Sequence, residues 1–318
     1  MKSMHRRDRA IPAAAGSADH GGMSTTSPSS ASGAAPARLP AALRLGPVAL
    51  TVTDLGRAIA FYEQAIGLQL QQRDPDAGTA ALGTGGEDLV VLVEDRAARP
   101  AGRHAGLYHY ALLFPSRLEL ARVAVRLAMR RTPIQGASDH GTHEAIYLPD
   151  PDGNGIELAA DRPREVWPEG LGYTGGPAPL DVNQLLSLVA GEPPRAVAGP
   201  GMTMGHLHLH VGDVDRGLAF YRDVIGFDLM ALLPSAAFVS AGGYHHHLGF
   251  NVWQGLGVPP APAGTVGLRQ WTVELPEAAD VAALRARAEA AGAPVEERDG
   301  GVVVRDPWDI AMLVRAAR

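Results

Sequence analysis

The 318-residue sequence contains no cysteine. That absence excludes disulfides, thiolate nucleophiles and every zinc site built on sulfur. Long apolar runs are also missing: none approaches the ~18 residues a membrane helix needs, so no membrane partner is expected. The Arg6-Arg7 pair resembles the start of an export signal, but no apolar core follows it. No signal is therefore read, and the expected compartment is the cytoplasm. Clustered Lys and Arg are absent too, and the formal net charge is -6. Phosphate binding needs clustered Lys and Arg, so the charge argues against a nucleic-acid partner and none is expected.

What remains is ordinary globular material, 46% hydrophobic and 19% charged, long enough for two domains. Twelve histidines are present, so any metal must sit on nitrogen and oxygen donors. Residues 1–40 stand apart. From Ala13 to Ala37 they are mostly Ala, Gly, Ser, Thr and Pro, too poor in apolar bulk to offset the entropy of ordering, and a disordered tail is expected.

The clearest feature is an internal repeat. Residues 48–68 read VALTVTDLGRAIAFYEQAIGL, and residues 207–227 read LHLHVGDVDRGLAFYRDVIGF. Each begins with period-2 alternation, passes an Asp in N-cap position (Asp54, Asp213), and continues with helical periodicity to a Gly suited to a C-cap (Gly67, Gly226). Each unit runs on into hairpin strands, 80–94 and 236–253. A second kind of unit follows each. One has a strand at 107–114, a helix over Ser116–Arg130, and a strand pair over 143–159 broken at Asp150-Pro151-Asp152-Gly153. The other has a strand at 268–275, a helix over 277–290, and strands around 294–304 and 309–314. The order is thus βαβββ four times, an α+β class. The expected division is a first two-module domain over 41–162, a linker over 163–203 with an amphipathic stretch Val182–Val189, and a second two-module domain over 204–318. A single module cannot bury both its helix and its concave sheet face, so the modules are expected to pair into two curved, mixed eight-stranded sheets.

The repeat, together with the Asp-Leu/Val-x-Arg start that leads to Phe-Tyr, resembles the vicinal oxygen chelate superfamily of glyoxalases, bleomycin-resistance-type proteins and extradiol dioxygenases. The resemblance spans about residues 44–315. It implies metal ligands on the first and last strands of the modules, facing into the cup. Those positions hold Pro47 in module one, His109 and Glu157 in module two, His206 in module three and Gln270 in module four, whose last strand offers no donor. The implied metal ligands are His109, Glu157 and His206. Two histidines and a carboxylate match the facial triad of non-haem Fe(II) oxygenases, with Mn(II) also accepted by such donors. Because these ligands lie in modules two and three, the two must pair across the linker, within one chain by preference or else between subunits of a homodimer.

His140-Gly141, Tyr147 and Asp150-Pro151-Asp152-Gly153-Asn154-Gly155-Ile156-Glu157 resemble the C-terminal signature of extradiol catechol dioxygenases, most nearly the catechol 2,3-dioxygenase type of bacilli. The resemblance places His140 and Tyr147 at the substrate site. His140 stands two residues nearer to the Glu than the family has it. It also implies an acid–base histidine from Tyr244-His245-His246-His247-Leu248-Gly249-Phe250. His246 matches best, with His247 as the alternative, and strand alternation would face His245 and His247 opposite to His246. His208 and His210 are expected to be polar lining rather than ligands. The implied activity is extradiol cleavage of a small aromatic diol with O₂. A glyoxalase-like isomerase or thiol transferase would usually want a Glu where this chain has that histidine run, and a non-catalytic binding protein typically lacks the triad. The linker helix and the loop Trp253–Gly264 are expected over the mouth of the site.

Overall fold

The computed structural model describes residues 38–317 apart from 101, 174, 175 and 299. The tail predicted over 1–40 lies outside the described residues as far as residue 37. Its last residues, Arg38-Leu39-Pro40, are described, and Leu39 is buried with its N–H donating to the Gly226 carbonyl at 2.9 Å.

Among the described residues, sixteen of eighteen strands form two eight-stranded sheets, as the repeat predicts, with modules two and three paired in one and modules one and four in the other. Of the two short strands left, Arg44–Leu45 pairs with both Thr203–His210 and Gly267–Leu275 and so joins the sheets. Ala178–Pro179 extends the edge strand Gly136–Asp139. In the inner sheet the strands run Gly136–Asp139, His143–Pro149, Gly155–Asp161, Gly106–Leu113, Thr203–His210, Leu248–Asn251, Ala236–Ser240 and Asp228–Leu233. Its seam is the antiparallel pair of Gly106–Leu113 with Thr203–His210, the first strands of modules two and three. The outer sheet is built the same way from modules one and four, its seam being Val48–Val52 against Gly267–Leu275. Each first strand lies parallel to its own module's last strand, which makes both sheets mixed. The division at 163–203 thus describes the repeats along the chain, and we keep it as a proposal in that sense. Both sheets draw strands from either side of it.

The repeated helix starts form as the caps predict. Asp54 accepts from the Arg57 N–H and Asp213 from the Arg216 N–H, both at 2.8 Å. The helices then depart from simple α geometry: Tyr62–Ile66 and Ala219–Ile225 are π-helical, and each run ends in a left-handed Gly, Gly67 at φ 89 and Gly226 at φ 102. In the first, the Tyr62 carbonyl accepts from both Gly67 and Leu68. The buried Tyr62 hydroxyl bonds Asp150 Oδ2 at 3.2 Å, and Tyr221 bonds Asp306 Oδ2 at 2.8 Å. Each odd-numbered module is therefore tied to the Asp-Pro turn of the next. Burial of Leu55, Ile59, Ile66 and Tyr62 supplies most of the stabilisation, about 1.5–3 kcal/mol for a large apolar side chain, so a bond worth about 1 kcal/mol net sets direction more than stability.

The carbonyls left at the π-turn are met from the following module. Arg126 of the helix Arg117–Arg130 is buried, and it donates to Ile66 O at 2.6 Å and twice to Arg195 O. Arg287 of Ala278–Ala290 does the same for Val224 O and Ile225 O, from a more exposed position. We expect Arg126→Met to lower unfolding free energy by about 1–3 kcal/mol in denaturant titration, since it leaves the buried Ile66 carbonyl without its charged donor. Arg287→Met should cost less. Equal, negligible effects of both would contradict this account.

Candidate functional site

Three neighbouring strands of the inner sheet, Gly155–Asp161, Gly106–Leu113 and Thr203–His210, carry Glu157, His109 and His206 side by side on the concave face. All three side chains are buried. The Nε2 atoms of His109 and His206 each lie 3.1 Å from the same atom, Glu157 Oε2. The three sequence-predicted ligands are thus brought together within one chain.

Among the described residues, three groups of donor atoms lie close enough to share a cation: His109–Glu157–His206, His140–His143–Glu157 and His143–Asp161–His245. Ring geometry separates them. Imidazole lone pairs lie in the ring plane, so two stacked parallel rings cannot aim at one ion between their edges. His140 and His143 stack at 4.4 Å and 7°, and His143 and His245 at 4.6 Å and 13°. His109 and His206 are inclined at 69°, with both Nε2 atoms converging on one carboxylate oxygen. At metal–ligand distances of about 2.1 Å, two donors at right angles lie about 3 Å apart, which is the separation seen here. The nitrogen–oxygen donor set therefore fits a divalent cation at His109–Glu157–His206.

Glu157 is ionised. Burial alone pushes its pKa up, but His206, His109 and His143 together hold it well below the usual carboxylate range. Burial pushes the His206 pKa down, so its imidazole is neutral, as a ligand must be. The second carboxylate oxygen, Oε1, is held by His143 Nε2 at 3.1 Å, and His143 Nδ1 meets the Thr142 hydroxyl at 2.9 Å. With Thr142 donating to Nδ1, His143 donates through Nε2 and fixes the orientation of Glu157.

The predicted substrate-site residues stand around this group. Tyr147 lies directly opposite Glu157 in the antiparallel ladder, and its hydroxyl is 2.7 Å from His140 Nε2. Burial pushes the Tyr147 hydroxyl's pKa far up and that of His140 down to about 4. The phenol stays protonated and the imidazole neutral. His246 lines the cavity, its ring 4.1 Å from that of His206. His247 turns away, with Nδ1 on Ser240 Oγ at 2.8 Å. Of the two histidines left open, His246 is the one at the site. The expected strand over 244–250 is corrected: it begins only at Leu248, because Gly242 and Gly243, at φ 62 and 67, turn the chain before it. Strand alternation does not apply there, so His245 and His246 pack beside each other. His208 Nε2 accepts from Asn251 Nδ2 and His210 Nδ1 meets Asn251 Oδ1, each at 2.9 Å, which ties both to the wall.

The cavity above the group has a volume of ≈ 460 Å³. Tyr108, Phe238 and Trp253 supply an aromatic lining that Tyr173 of the linker extends, its ring 4.4 Å from that of Phe238. Leu171 and Pro177 of the linker line the cavity with them. The linker helix itself, Val182–Ser187, is displaced from the mouth. It lies on the helix Arg117–Arg130, where Gln184 accepts from Arg117 at 3.0 Å, and of the loop 253–264 only Trp253 lines the cavity. In the outer sheet the position matching Glu157 is Leu313, packed with Val303 and Ala311.

Sequence reasoning missed His143, Asp161 and Tyr173. The first two were accessible by parity, His143 with Tyr147 on one strand and Asp161 with Glu157 on the next. Tyr173 lies in an irregular stretch that carries no periodic signal.

The chain belongs to the Glyoxalase/Bleomycin resistance protein/Dioxygenase superfamily, whose pattern matches residues 44–158 and 203–310. It is 41% identical over 272 residues to the catechol-2,3-dioxygenase of Bacillus subtilis (strain 168), an alignment covering 83% of this chain and 93% of that one. Among solved structures, a Bacillus subtilis subsp. subtilis str. 168 protein provisionally named a dioxygenase matches with a TM-score of 0.60 at 16% identity, covering 88% of this chain and 86% of that one. Glyoxalase I from Zea mays matches with a TM-score of 0.55 at 18% identity, covering 86% and 92%. At such identities the two structural likenesses speak of fold alone.

The site geometry leads to a graded expectation for metal binding by calorimetry with Mn(II) or anaerobic Fe(II). The native chain should take up one equivalent, and Glu157→Ala or His109→Ala should abolish stoichiometric uptake. His143→Phe should weaken affinity about 10–100-fold, because only the orientation of Glu157 is lost. Unchanged affinity in Glu157→Ala would place the metal elsewhere.

Proposed function

We propose that this chain is an extradiol ring-cleaving dioxygenase acting on catechol or a substituted catechol with O₂, its metal held by His109, Glu157 and His206. The observation that carries the reading is the convergence of these three donors at the floor of an aromatic-walled cavity. The 41% identity to a protein named catechol-2,3-dioxygenase supports it. Fe(II), or Mn(II) on the same donors, would supply the positive charge that favours a diolate and a path by which electrons of the diolate, which is the group oxidised, reach dioxygen.

The remaining steps belong to the chain's own residues. Tyr108, Phe238 and Trp253 hold the ring by its faces and edge, and with the linker residues they keep water from the reacting carbons. His246 accepts the proton of the second diol hydroxyl and returns it later in the reaction, as a neutral imidazole can. Tyr147, kept protonated by burial and held by His140, donates a hydrogen bond to the substrate oxygen nearest Glu157. His140 sits beside it as the second polar contact. No Lys or Arg lines the cavity among the described residues, so the ring substituents it accepts are uncharged. Its volume falls in the range of about 300–1,000 Å³ typical of sites for sizeable ligands, which leaves room for an alkyl or aryl substituent.

The test is anaerobic loading with Fe(II), then addition of diol and air, watching for yellow proximal ring-fission product. Colour that disappears in Glu157→Ala is expected, together with a fall in kcat of about 100-fold in Tyr147→Phe. Alkyl- and aryl-substituted catechols should outperform carboxylated ones. No product from any of these diols, with one metal bound per chain, would overturn the reading and favour an isomerase or transferase of the same fold.

A further inference from the structure

Two residues behind the cavity wall take no part in the steps above. Asp161 ends the strand that carries Glu157, and His245 precedes His246 in the turn before Leu248. His245 Nε2 lies 3.1 Å from Asp161 Oδ1, and His245 Nδ1 lies 2.9 Å from His246 Nδ1. The Tyr173 hydroxyl is 3.0 Å from His246 Nδ1 and 3.0 Å from the His245 carbonyl oxygen. The His245 ring is held in plane by its stack on His143.

These contacts admit one consistent placement of protons. Two ring nitrogens facing each other share a single proton, so one must donate and the other accept. Asp161 is ionised: burial raises its pKa, but the bond from His245 holds it below the usual range. A carboxylate only accepts, so His245 presents N–H at Nε2. Burial pushes the His245 pKa down to about 3, which leaves the ring neutral and its Nδ1 bare. The shared proton therefore sits on His246 Nδ1. Tyr173 agrees with this, since its hydroxyl donates to the His245 carbonyl and turns a lone pair toward His246. A neutral His246 protonated at Nδ1 has a bare Nε2, and His246 lines the cavity.

We infer that Asp161 and His245 are positioning residues that hold His246 in its Nδ1–H tautomer, so that a lone pair on Nε2 faces the bound diol. The catalytic use of that lone pair rests on the ring-cleavage reading. The tautomer itself is a property of the chain and is tested without turnover. Reversal needs no movement of the rings. If His245 carries its proton on Nδ1 instead, His246 must carry its own on Nε2, and the base becomes a donor.

Long-range ¹H–¹⁵N correlation spectra of the ¹⁵N-histidine-labelled full chain, metal-free and with diamagnetic Zn²⁺, read the tautomer directly. The His246 pattern is assigned by its loss in His246→Gln. We expect a protonated Nδ1 and a bare Nε2 in the native chain. In Asp161→Ala, two residues removed from the cavity, His246 should switch to the Nε2–H form. His245→Phe, which keeps the stack on His143 but removes the acceptor, should lose the Nδ1–H preference as well. In turnover both variants should lose about 10–100-fold in kcat with KM changed by no more than about twofold. An Nε2–H tautomer in the native chain, or Nδ1–H retained in both variants, would overturn the inference. The expected tautomers in a chain that cleaves no diol would uphold it and sink the ring-cleavage reading alone.

Discussion

The antiparallel seam between Gly106–Leu113 and Thr203–His210 is the contact on which the site depends. Glu157 follows only because its strand lies parallel to Gly106–Leu113, and His246 only because Leu248–Asn251 lies parallel to Thr203–His210. A one-residue slip at that seam would turn His206 to the convex face and leave Glu157 with one imidazole fewer. The register is held from behind by Tyr110, Leu112, Leu207 and Leu209, all fully buried, so the same alternation that builds the core aims the histidines.

At the centre of the cup a carboxylate is surrounded by imidazoles, and what distinguishes them is the direction of their ring planes. Twelve histidines in a chain without cysteine offer many ways to place three donors near one another. Stacking removes most of them. His140, His143 and His245 form a column of nearly parallel rings, which serves hydrogen bonding along its edges and excludes joint chelation. His109 and His206, inclined to each other, converge on one and the same oxygen of Glu157. The column then acts as support: His143 on Glu157, His140 on Tyr147, His245 on His246.

Much of this was legible in the sequence because it rests on period and parity. The repeat predicted four modules and two sheets, and the alternation within 204–210 put three histidines on one face. The pairing of Tyr147 with Glu157 followed from their ten-residue separation about a tight turn. What stayed illegible rests on irregular backbone. The two glycines before Tyr244 end any alternation, so the orientations of His245, His246 and His247 had no rule to follow. Tyr173, in the linker, reaches the site through long-range packing that no local pattern records. The π-turns at Tyr62 and Tyr221 were read as plain α-helix, since residue type and capping signals are the same for both until the last turn widens.

The crosswise pairing of the modules also bears on how the chain folds. The inner seam joins strands adjacent in the repeat order, whereas the outer seam joins the first module to the last across more than twice as much chain. The difference in closure entropy is modest, about 0.8 kcal/mol by the logarithmic rule, but the order matters more than the amount. Once the inner sheet is in place, the ends of the outer one are already near each other, and the outer seam closes as a short loop. The sheet that bears the site is thus the natural nucleus, and the apolar sheet with Leu313 in place of a ligand is a clasp that locks it. On that account amide protons of Val48–Val52 and Gly267–Leu275 gain protection after those of Gly106–Leu113 in pulsed hydrogen exchange. The pair of modules without ligands then serves the fold's last step, and the pair that closes first carries the donors.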